Sequence, residues 1–228
     1  MNQLMTAAAA NDYPRTNFED VVDFSTKFKL PCPAWPQLLE PDVFKFRLGF
    51  LREELEEIVA APDLPTYVDG CIDLAYVTLG TCYFHGSPWW GRTWREIHDE
   101  LTLAGFEIAE EPAFPHWRDR QEQNDVLLHK YAQYERAHRN SSLGPALRAL
   151  FDLGDCAIAT CLQSGAPWQP CWKEVQDANM RKTLVPIDEL SSAKKHREHR
   201  FDVRKPPGWV GPDLVRVLRE AGWQEKHQ

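Results

Sequence analysis

Residues 68–84 constrain the fold more than any other segment, because they are apolar almost all round and yet contain two aspartates. Asp69 and Asp73 lie four residues apart, so an α-helix places both carboxylates on one face. The segment contains no Lys or Arg that could pair with them, and an unpaired buried charge is very costly. The segment therefore predicts a buried helix whose two carboxylates hold a metal ion.

A second acidic pair precedes this helix. Within residues 44–60, Glu54 and Glu57 lie three residues apart and border an apolar stripe with helical spacing. The stripe consists of Phe44, Leu48, Leu51, Leu55 and Ile58. A Glu-rich stretch is most often a solvated helix face, and the position beside the stripe favours a site instead. If the two helices pack side by side, these four carboxylates converge, with Glu53 as a fifth, and hard oxygen ligands select Mg²⁺ or Mn²⁺.

Helical patterns also dominate the rest of the chain. We predict helices over residues 18–28, 42–61, 64–85, 94–104, 118–138, 144–163 and 169–183, and only residues 201–203 favour an extended conformation. These elements predict an all-α fold, most simply an antiparallel helical bundle. The first 12 residues are predicted to be a flexible terminus, residues 13–228 a single domain, and residues 184–228 a basic tail.

Composition excludes several classes of protein. A net charge of -8 argues against a general nucleic-acid binder, and no apolar run approaches the ~20 residues of a membrane span. The first 11 residues lack the basic and apolar regions of a signal peptide. The six cysteines show no C-x-x-C spacing, which favours reduced, buried thiols over a zinc site. The sequence therefore predicts a cytoplasmic protein without a membrane or nucleic-acid partner.

A faint internal repeat links the two halves of the chain. Gly86-Ser-Pro-Trp recurs as Gly165-Ala-Pro-Trp, and Asp73-Leu recurs as Asp152-Leu, both at an offset of 79. Only the first copy carries the acidic face. The pattern predicts duplication of a helical hairpin followed by specialisation of one copy.

Three segments carry a resemblance to a known family. Residues 46–57 (FRLGFLREELEE), 69–81 (DGCIDLAYVTLGT) and 172–182 (WKEVQDANMRK) resemble the MazG-like branch of the all-α nucleoside triphosphate pyrophosphohydrolases. The tail segment DVRKPPGW, residues 202–209, is similar to the ending of many phage members. Together these segments cover roughly half the chain in the expected order, and their combination is more specific than any acidic pair alone.

The resemblance implies packed antiparallel helices and Mg²⁺-dependent cleavage of a nucleoside triphosphate to the monophosphate and pyrophosphate, with Mn²⁺ as a substitute. The E-x-x-E motif of the family matches Glu54 and Glu57, and the final Asp of its E-x-x-D motif matches Asp73. Position 70 is Gly here, which leaves Asp69 as the fourth metal ligand. A long helical insert, about residues 87–165, has no counterpart in shorter members.

Further roles follow from residue chemistry. Either Glu53 or Glu57 could act as the general base, and the sequence does not choose between them. Asn179, Lys182 and Lys205 are expected to bind substrate, because cations suit phosphates, although residues 179–182 would also suit an ordinary helix C-terminus. We expect Trp35 in the wall of the substrate pocket. The basic stretch around residues 194–205 is most often solvated surface, and the alternative is closure over phosphates.

The predicted function is hydrolysis of dGTP or GTP to dGMP or GMP, a viral adjustment of nucleotide pools in a host cytoplasm. The alternatives are a dCTP/dUTP pyrophosphatase, a phosphoribosyl-ATP pyrophosphohydrolase, and a non-catalytic helical scaffold. Because a helix that is apolar all round needs extensive cover, and because members of the family associate, we also predict a homodimer or homotetramer.

Overall fold

The computed structural model describes residues 16–89, 91–184 and 201–225. The predicted flexible terminus at residues 1–12 and the basic residues 194–200 lie outside this part. In the described part, the chain forms α1 (Asn17–Lys27), α2 (Pro41–Ala60), α3 (Leu64–Phe84), α4 (Trp94–Leu103), α5 (Trp117–Arg139), α6 (Leu143–Gln163), α7 (Trp168–Met180), β1 (Thr183–Leu184), β2 (Val203–Arg204) and α8 (Leu214–Glu220). The predicted all-α class is confirmed.

Two local predictions differ from the structure. The helix expected to reach residue 183 ends at Met180, and Thr183 instead pairs with Arg204 in the antiparallel β1–β2 ribbon. Helix α8 was not predicted, because seven residues are too few to show a clear helical period. The side chain of Asp213 caps α8 by accepting the N–H of Arg216, and Leu218 is fully buried beneath it. The helix therefore depends on tertiary packing as well as on its own sequence.

Helix α3 lies at the centre of the molecule. It packs against α1, α2, α6, α7 and α8, which explains why its sequence is apolar almost all round. Every member of the predicted stripe on α2 is also buried, with Leu51 and Ile58 fully so. The acidic faces of α2 and α3 therefore border one continuous core, as their spacing predicted.

The internal repeat is a repeat of structure as well as of sequence. Helices α1, α2 and α3 form one unit, and α4, α5 and α6 form a second one in the same order. Thr16 and Thr93 begin the two units with the same capping box, each exchanging hydrogen bonds with the Glu three residues later. The repeat is therefore longer than the hairpin that the sequence indicated, and the predicted insert at residues 87–165 contains the second unit.

The ends of α3 and α6 show the duplication at atomic detail. Gly86 and Gly165 have φ angles of 69° and 73°, a left-handed conformation that favours glycine. A Cβ atom on either would lie 2.6 Å from a backbone carbonyl oxygen, that of Pro33 for Gly86 and that of Ala109 for Gly165. The same turn thus holds the segment before α2 and the segment before α5.

None of the helices in the described part of the chain combines the length and apolarity that crossing a membrane requires.

Candidate active site

One cavity brings together most of the residues that the sequence singled out. It lies between α1, α2 and α3 and is closed by the end of α7 and the start of the C-terminal tail. Its polar lining includes Glu54, Glu57, Asp69, Asp73, Asn179, Lys182 and Lys205. Among the described residues, none that lines this cavity lies between positions 87 and 165. The second unit therefore extends the bundle and does not cover the site.

The packing of α2 on α3 explains why the fourth carboxylate is at position 69. A Cβ atom on Gly70 would lie 2.8 Å from Cγ1 of Ile58 and 3.3 Å from its backbone nitrogen. Position 70 thus faces α2 at a close helix crossing and has no room for a carboxylate. Asp69 lies one residue earlier and, together with Asp73 one turn later, lines the cavity. The departure from the family spacing is therefore a consequence of tight helix packing.

The four carboxylates differ in exposure. Glu54 is buried, Asp69 and Asp73 are half-buried, and Glu57 is exposed at the rim. Burial, together with the neighbouring charges of Asp73 and Glu57, raises the pKa of Asp69 to about 7. The Oδ1 atom of Asp69 is buried without a hydrogen-bond partner among the described residues. Such a group recovers its lost solvation by binding a proton, a cation or a hydrogen-bond donor.

Two lysines from outside α3 partly offset this negative charge. Lys182 and Lys205 both lower the pKa of Asp69. They come from segments 23 residues apart in the sequence, and the pairing of β1 with β2 brings these segments together. Both lysines were predicted to bind substrate, and their position beside Asp69 was not predicted, because it depends on this strand pairing.

Trp209 fixes the tail beside the cavity. Its indole Nε1 donates a hydrogen bond of 2.9 Å to the carbonyl oxygen of Ala178 near the end of α7. The Nζ atoms of Lys205 and Lys182 lie 4.5 Å and 5.9 Å from its ring centroid, within cation–π range. The ring therefore positions both lysines at one side of the cavity, and it explains why the tail matters to the site.

Two predicted site residues lie elsewhere. Glu53 is half-buried on α2 and is not among the residues that line the cavity. Trp35 is 78% exposed in the segment before α2, and it does not line the cavity either. Of the two candidate bases, Glu57 is thus the one that borders the cavity. The basic residues Lys194, Lys195, His196, Arg197 and Arg200 lie outside the described part of the chain.

The other end of the cavity is aromatic, and the sequence reading did not identify it. Its lining includes Phe24, Phe46, Phe50, Phe84 and Phe201. Arg47 lies among these rings with only 8% of its surface exposed. Burial lowers its pKa to about 10, so the guanidinium is still charged at neutral pH. In the sequence, the signal for this residue was a positively charged side chain between two apolar ones, Phe46 and Leu48.

Arg47 is held in place by α3. Its Nε and Nη2 atoms donate to the hydroxyl oxygen of Thr81 at 3.2 Å and 3.1 Å, and Nη2 also donates to the carbonyl oxygen of Val77 at 2.7 Å. The guanidinium carbon lies 5.0 Å from the ring centroid of Phe84 and 5.6 Å from that of Phe50. These contacts fix both the position and the plane of the guanidinium.

The second unit carries a charge pattern unlike that of the first. Asp152 is the counterpart of Asp73 at the offset of 79, and Arg148 is the counterpart of Asp69. Asp152 forms ion pairs of 2.9 Å with Lys130 on α5 and 3.0 Å with Arg148. Cations therefore neutralise this carboxylate within the second unit, whereas the first unit keeps four carboxylates. The predicted specialisation of one copy agrees with this difference.

The donor atoms of the first unit suit a hard divalent cation, but their present positions do not form a complete metal site. Among the described residues, no three His, Cys, Asp or Glu side chains lie close enough together to hold one ion. The carboxylates line the cavity walls instead, as repulsion between like charges favours.

Comparison with known proteins gives one match. The family model described as PRA-PH, phosphoribosyl-ATP pyrophosphohydrolase, matches residues 21–101. The match covers all four carboxylates and Arg47, and Asn179, Lys182 and Lys205 lie beyond it. No curated protein and no solved structure matches the chain.

Proposed function

We propose that this protein hydrolyses a (deoxy)nucleoside triphosphate to the monophosphate and pyrophosphate. Residues 21–101 are covered by a domain of the MazG-like all-α NTP pyrophosphohydrolase superfamily, and the matched family acts as a pyrophosphohydrolase on a nucleotide. The observation that carries the proposal is the shared cavity. Four carboxylates, two lysines and one amide border it together. A scaffold would have no need to gather four carboxylates of like charge around one cavity.

Glu54, Glu57, Asp69 and Asp73 are the residues that would hold the metal. The family generally uses divalent metals, and all-oxygen donors favour Mg²⁺, with Mn²⁺ as a substitute. The buried, unpartnered Oδ1 atom of Asp69 supports this assignment. When bound there, Mg²⁺ would supply positive charge to offset that of the phosphates and of the departing pyrophosphate.

The residues of the chain supply position and proton transfer. Glu57, at the exposed rim of the acidic end, is placed to orient a water and accept its proton. The water oxygen attacks the α-phosphorus, the bond to the α,β-bridging oxygen breaks, and pyrophosphate leaves with the electron pair. Lys182 and Lys205 bind the phosphates as point charges, and the buried amide of Asn179 can both donate and accept hydrogen bonds.

We favour dGTP or GTP as the substrate. The resemblance of the tail to phage members supports a viral enzyme that adjusts purine nucleotide pools, and Lys205 in that tail borders the cavity. The second candidate is phosphoribosyl-ATP, which the description of the matched family favours. A dCTP/dUTP pyrophosphatase is the remaining alternative. The protein would act in the cytoplasm of the host cell.

A substrate panel tests this proposal. The eight common NTPs and dNTPs, together with phosphoribosyl-ATP, are incubated at equal concentration with Mg²⁺, with Mn²⁺ and with EDTA. We expect dGTP to give dGMP and pyrophosphate with either metal and nothing with EDTA. Stepwise release of phosphate with a diphosphate product would contradict the reaction type. Cleavage of dCTP, dUTP or phosphoribosyl-ATP at least about tenfold faster than dGTP, which is about 1.4 kcal/mol, would contradict only the choice of base.

A further inference from the structure

We propose that Arg47 is a specificity-determining residue whose Nη1 group donates to the 6-oxo group of a purine base bound at the aromatic end of the cavity. The inference rests on the proposed function, because it assumes that the acidic end binds the triphosphate. It assigns the base to the opposite end and names the feature of the base that is recognised. The ligand class is therefore a 6-oxopurine nucleotide, such as one of guanine or hypoxanthine.

The guanidinium of Arg47 has more N–H groups than its hydrogen bonds to the protein use. A guanidinium has five N–H groups and no acceptor. The bonds to Thr81 and Val77 use Nε and Nη2. Nη1 makes no hydrogen bond to any residue in the described part of the chain, and Arg47 lines the cavity. The two N–H groups of Nη1 are therefore the donors that Arg47 has left for a ligand.

Burying the charged guanidinium of Arg47 has a free-energy cost. Arg47 is more than nine-tenths buried among phenylalanine rings, and its Nη1 atom, which is not one of the fully buried atoms without a partner in the described part of the chain, is accessible from the cavity. A base that fills the cavity would remove Nη1 from solvent, and an unpaired donor would then be unfavourable. Its contacts to α3 and to the rings of Phe50 and Phe84 hold it without satisfying Nη1. A ligand oxygen in the cavity would satisfy it. The arrangement is that of a preorganised donor, fixed before the ligand arrives.

The distance between Arg47 and the carboxylates suits the length of a nucleotide. Arg47 precedes Glu54 by seven residues on α2, which is about 10 Å along the helix axis. Helix α3 runs antiparallel beside it, so Asp69 and Asp73 lie near the far end and Gly80 near Arg47. A nucleotide with its phosphates at the carboxylates would extend its base toward Arg47. Phenylalanine rings there provide apolar, stackable walls of the kind that bind a base.

The chemistry of the donor decides which bases fit. A guanidinium can only donate, so it favours a ring edge that presents acceptors, such as O6 and N7 of guanine. The 6-amino group of adenine would place a donor against a donor. A buried donor left unpaired by the wrong substrate is a strong source of discrimination. Gly80 adds to this geometry, because a Cβ atom there would lie 3.1 Å from Nη2 of Arg47.

The test uses dITP and dATP, a matched pair that differs at the 6-position. We expect the wild-type enzyme with Mg²⁺ to show a kcat/KM for dITP at least about tenfold above that for dATP, by ~1.4 kcal/mol. Arg47→Met should reduce this ratio to below about threefold, mainly by loss of dITP cleavage. Arg52→Met is the matched control, since Arg52 lies on the same helix with an exposed partner in Glu56, and it should leave the ratio unchanged.

Three outcomes would overturn the inference. The first is equal cleavage of dITP and dATP by the wild type. The second is an equal loss of both in Arg47→Met, which indicates a phosphate contact. If Arg47→Met does not fold by circular dichroism, Gly80→Ala takes its place, because the added methyl would lie 3.1 Å from Nη2 and shift the guanidinium by a few tenths of an ångström while it keeps its charge. An unchanged ratio in folded Gly80→Ala is then the third outcome, whereas a reduced ratio supports the inference.

Binding separates this inference from the proposed function. Calorimetric titration with dIMP and dAMP needs no turnover. If no triphosphate is cleaved, the proposed function fails, and the titration alone decides the base assignment. Tighter binding of dIMP that is lost in Arg47→Met would support it, and equal binding of the two monophosphates would overturn it.

Discussion

A Cβ atom on Gly70 would lie 2.8 Å from Cγ1 of Ile58, so α2 and α3 cross where one helix has no side chain. This contact sets the separation of the two helices that carry the carboxylates. Glu57 precedes Ile58 directly, and Asp69 precedes Gly70. A change at the crossing therefore acts on the site without touching a charged group.

We expect Gly70→Ala to lower the free energy of unfolding by about 1–3 kcal/mol, the usual cost of overpacking. It should also lower Mg²⁺ affinity, because separating the helices separates the carboxylate pairs. Gly49→Ala is the matched control, since no atom outside its own helix backbone lies within 4 Å of a Cβ there, and it should raise stability by about 0.5–1 kcal/mol. Urea unfolding and Mn²⁺ titration measure both effects, and a Gly70→Ala protein of unchanged stability would contradict the packing argument.

Neutralising a carboxylate should remove activity without unfolding the protein. Glu54→Gln, Glu57→Gln and Asp73→Asn should each reduce kcat/KM by at least about a hundredfold at limiting Mg²⁺, because each removes a charge that holds the metal. The metal-free forms should be as stable as the wild type or more so, since repulsion between like charges is relieved.

The chain offers two controls for these substitutions. Glu56→Gln changes the exposed neighbour of Glu57, and Asp152→Asn changes the counterpart of Asp73 in the second unit. Both should keep near-normal turnover, although Asp152→Asn loses its ion pairs with Lys130 and Arg148. Near-normal turnover of Glu57→Gln at limiting Mg²⁺ would instead remove Glu57 from the site.

The periodicity of the sequence predicts seven of the eight described helices and both acidic pairs, because burial of one face leaves a pattern that can be read residue by residue. It does not predict that Lys182 and Lys205 both lie against the ring of Trp209. That arrangement depends on two strands of two residues each, which carry no detectable period. The role of Arg47 was not predicted for a related reason, since its partners Thr81 and Val77 lie on another helix.

Lys205→Met should raise KM for the triphosphate about tenfold with a smaller change in kcat, because it removes a charge that binds phosphate. Trp209→Leu should have a similar effect, since the indole fixes both Lys205 and Lys182 beside the cavity. Lys45→Met is the control, as Lys45 is exposed on α2 and lies outside the cavity lining. Steady-state kinetics measure all three, and an unchanged KM in Lys205→Met would exclude a role in binding.

Acidification should destabilise the protein through His85. This fully buried side chain donates from Nδ1 to the carbonyl oxygen of Gln37 at 2.6 Å, so Nε2 accepts from the hydroxyl of Tyr134 at 3.0 Å. Burial lowers its pKa to about 4. The unfolded chain, with a pKa near 6.5, binds this proton earlier as pH falls. Stability that is present above pH 6.5 is therefore lost progressively down to pH 4, by up to about 3 kcal/mol.

The variant His85→Asn isolates this effect, because Asp69, whose pKa is raised to about 7, contributes an opposite change over part of the same pH range. We expect the stability difference between pH 7 and pH 5 to be smaller in His85→Asn than in the wild type. His98→Asn, at an exposed position on α4, should behave like the wild type. An identical pH dependence in all three proteins would contradict the assignment of a neutral buried His85.

The last prediction concerns assembly. Helix α3 is covered within the chain by five other helices, so the cover it needs does not require a second subunit. The second unit, in particular α6, supplies part of that cover. The prediction of a homodimer or homotetramer therefore depends on a different surface. Exposed apolar side chains occur near the end of α4 and at the start of α5, namely Leu103, Phe106 and Trp117.

A surface of this kind marks an interface more often than single exposed residues do. We expect light scattering to give a mass of two or four chains at micromolar concentration, and Trp117→Asp to reduce it to one. Val210→Asp is the control, because Val210 is an exposed apolar residue of the C-terminal tail and not of α4 or α5, and it should keep the wild-type mass. A monomeric wild type would instead mean that the duplicated unit has taken over the role of a partner subunit.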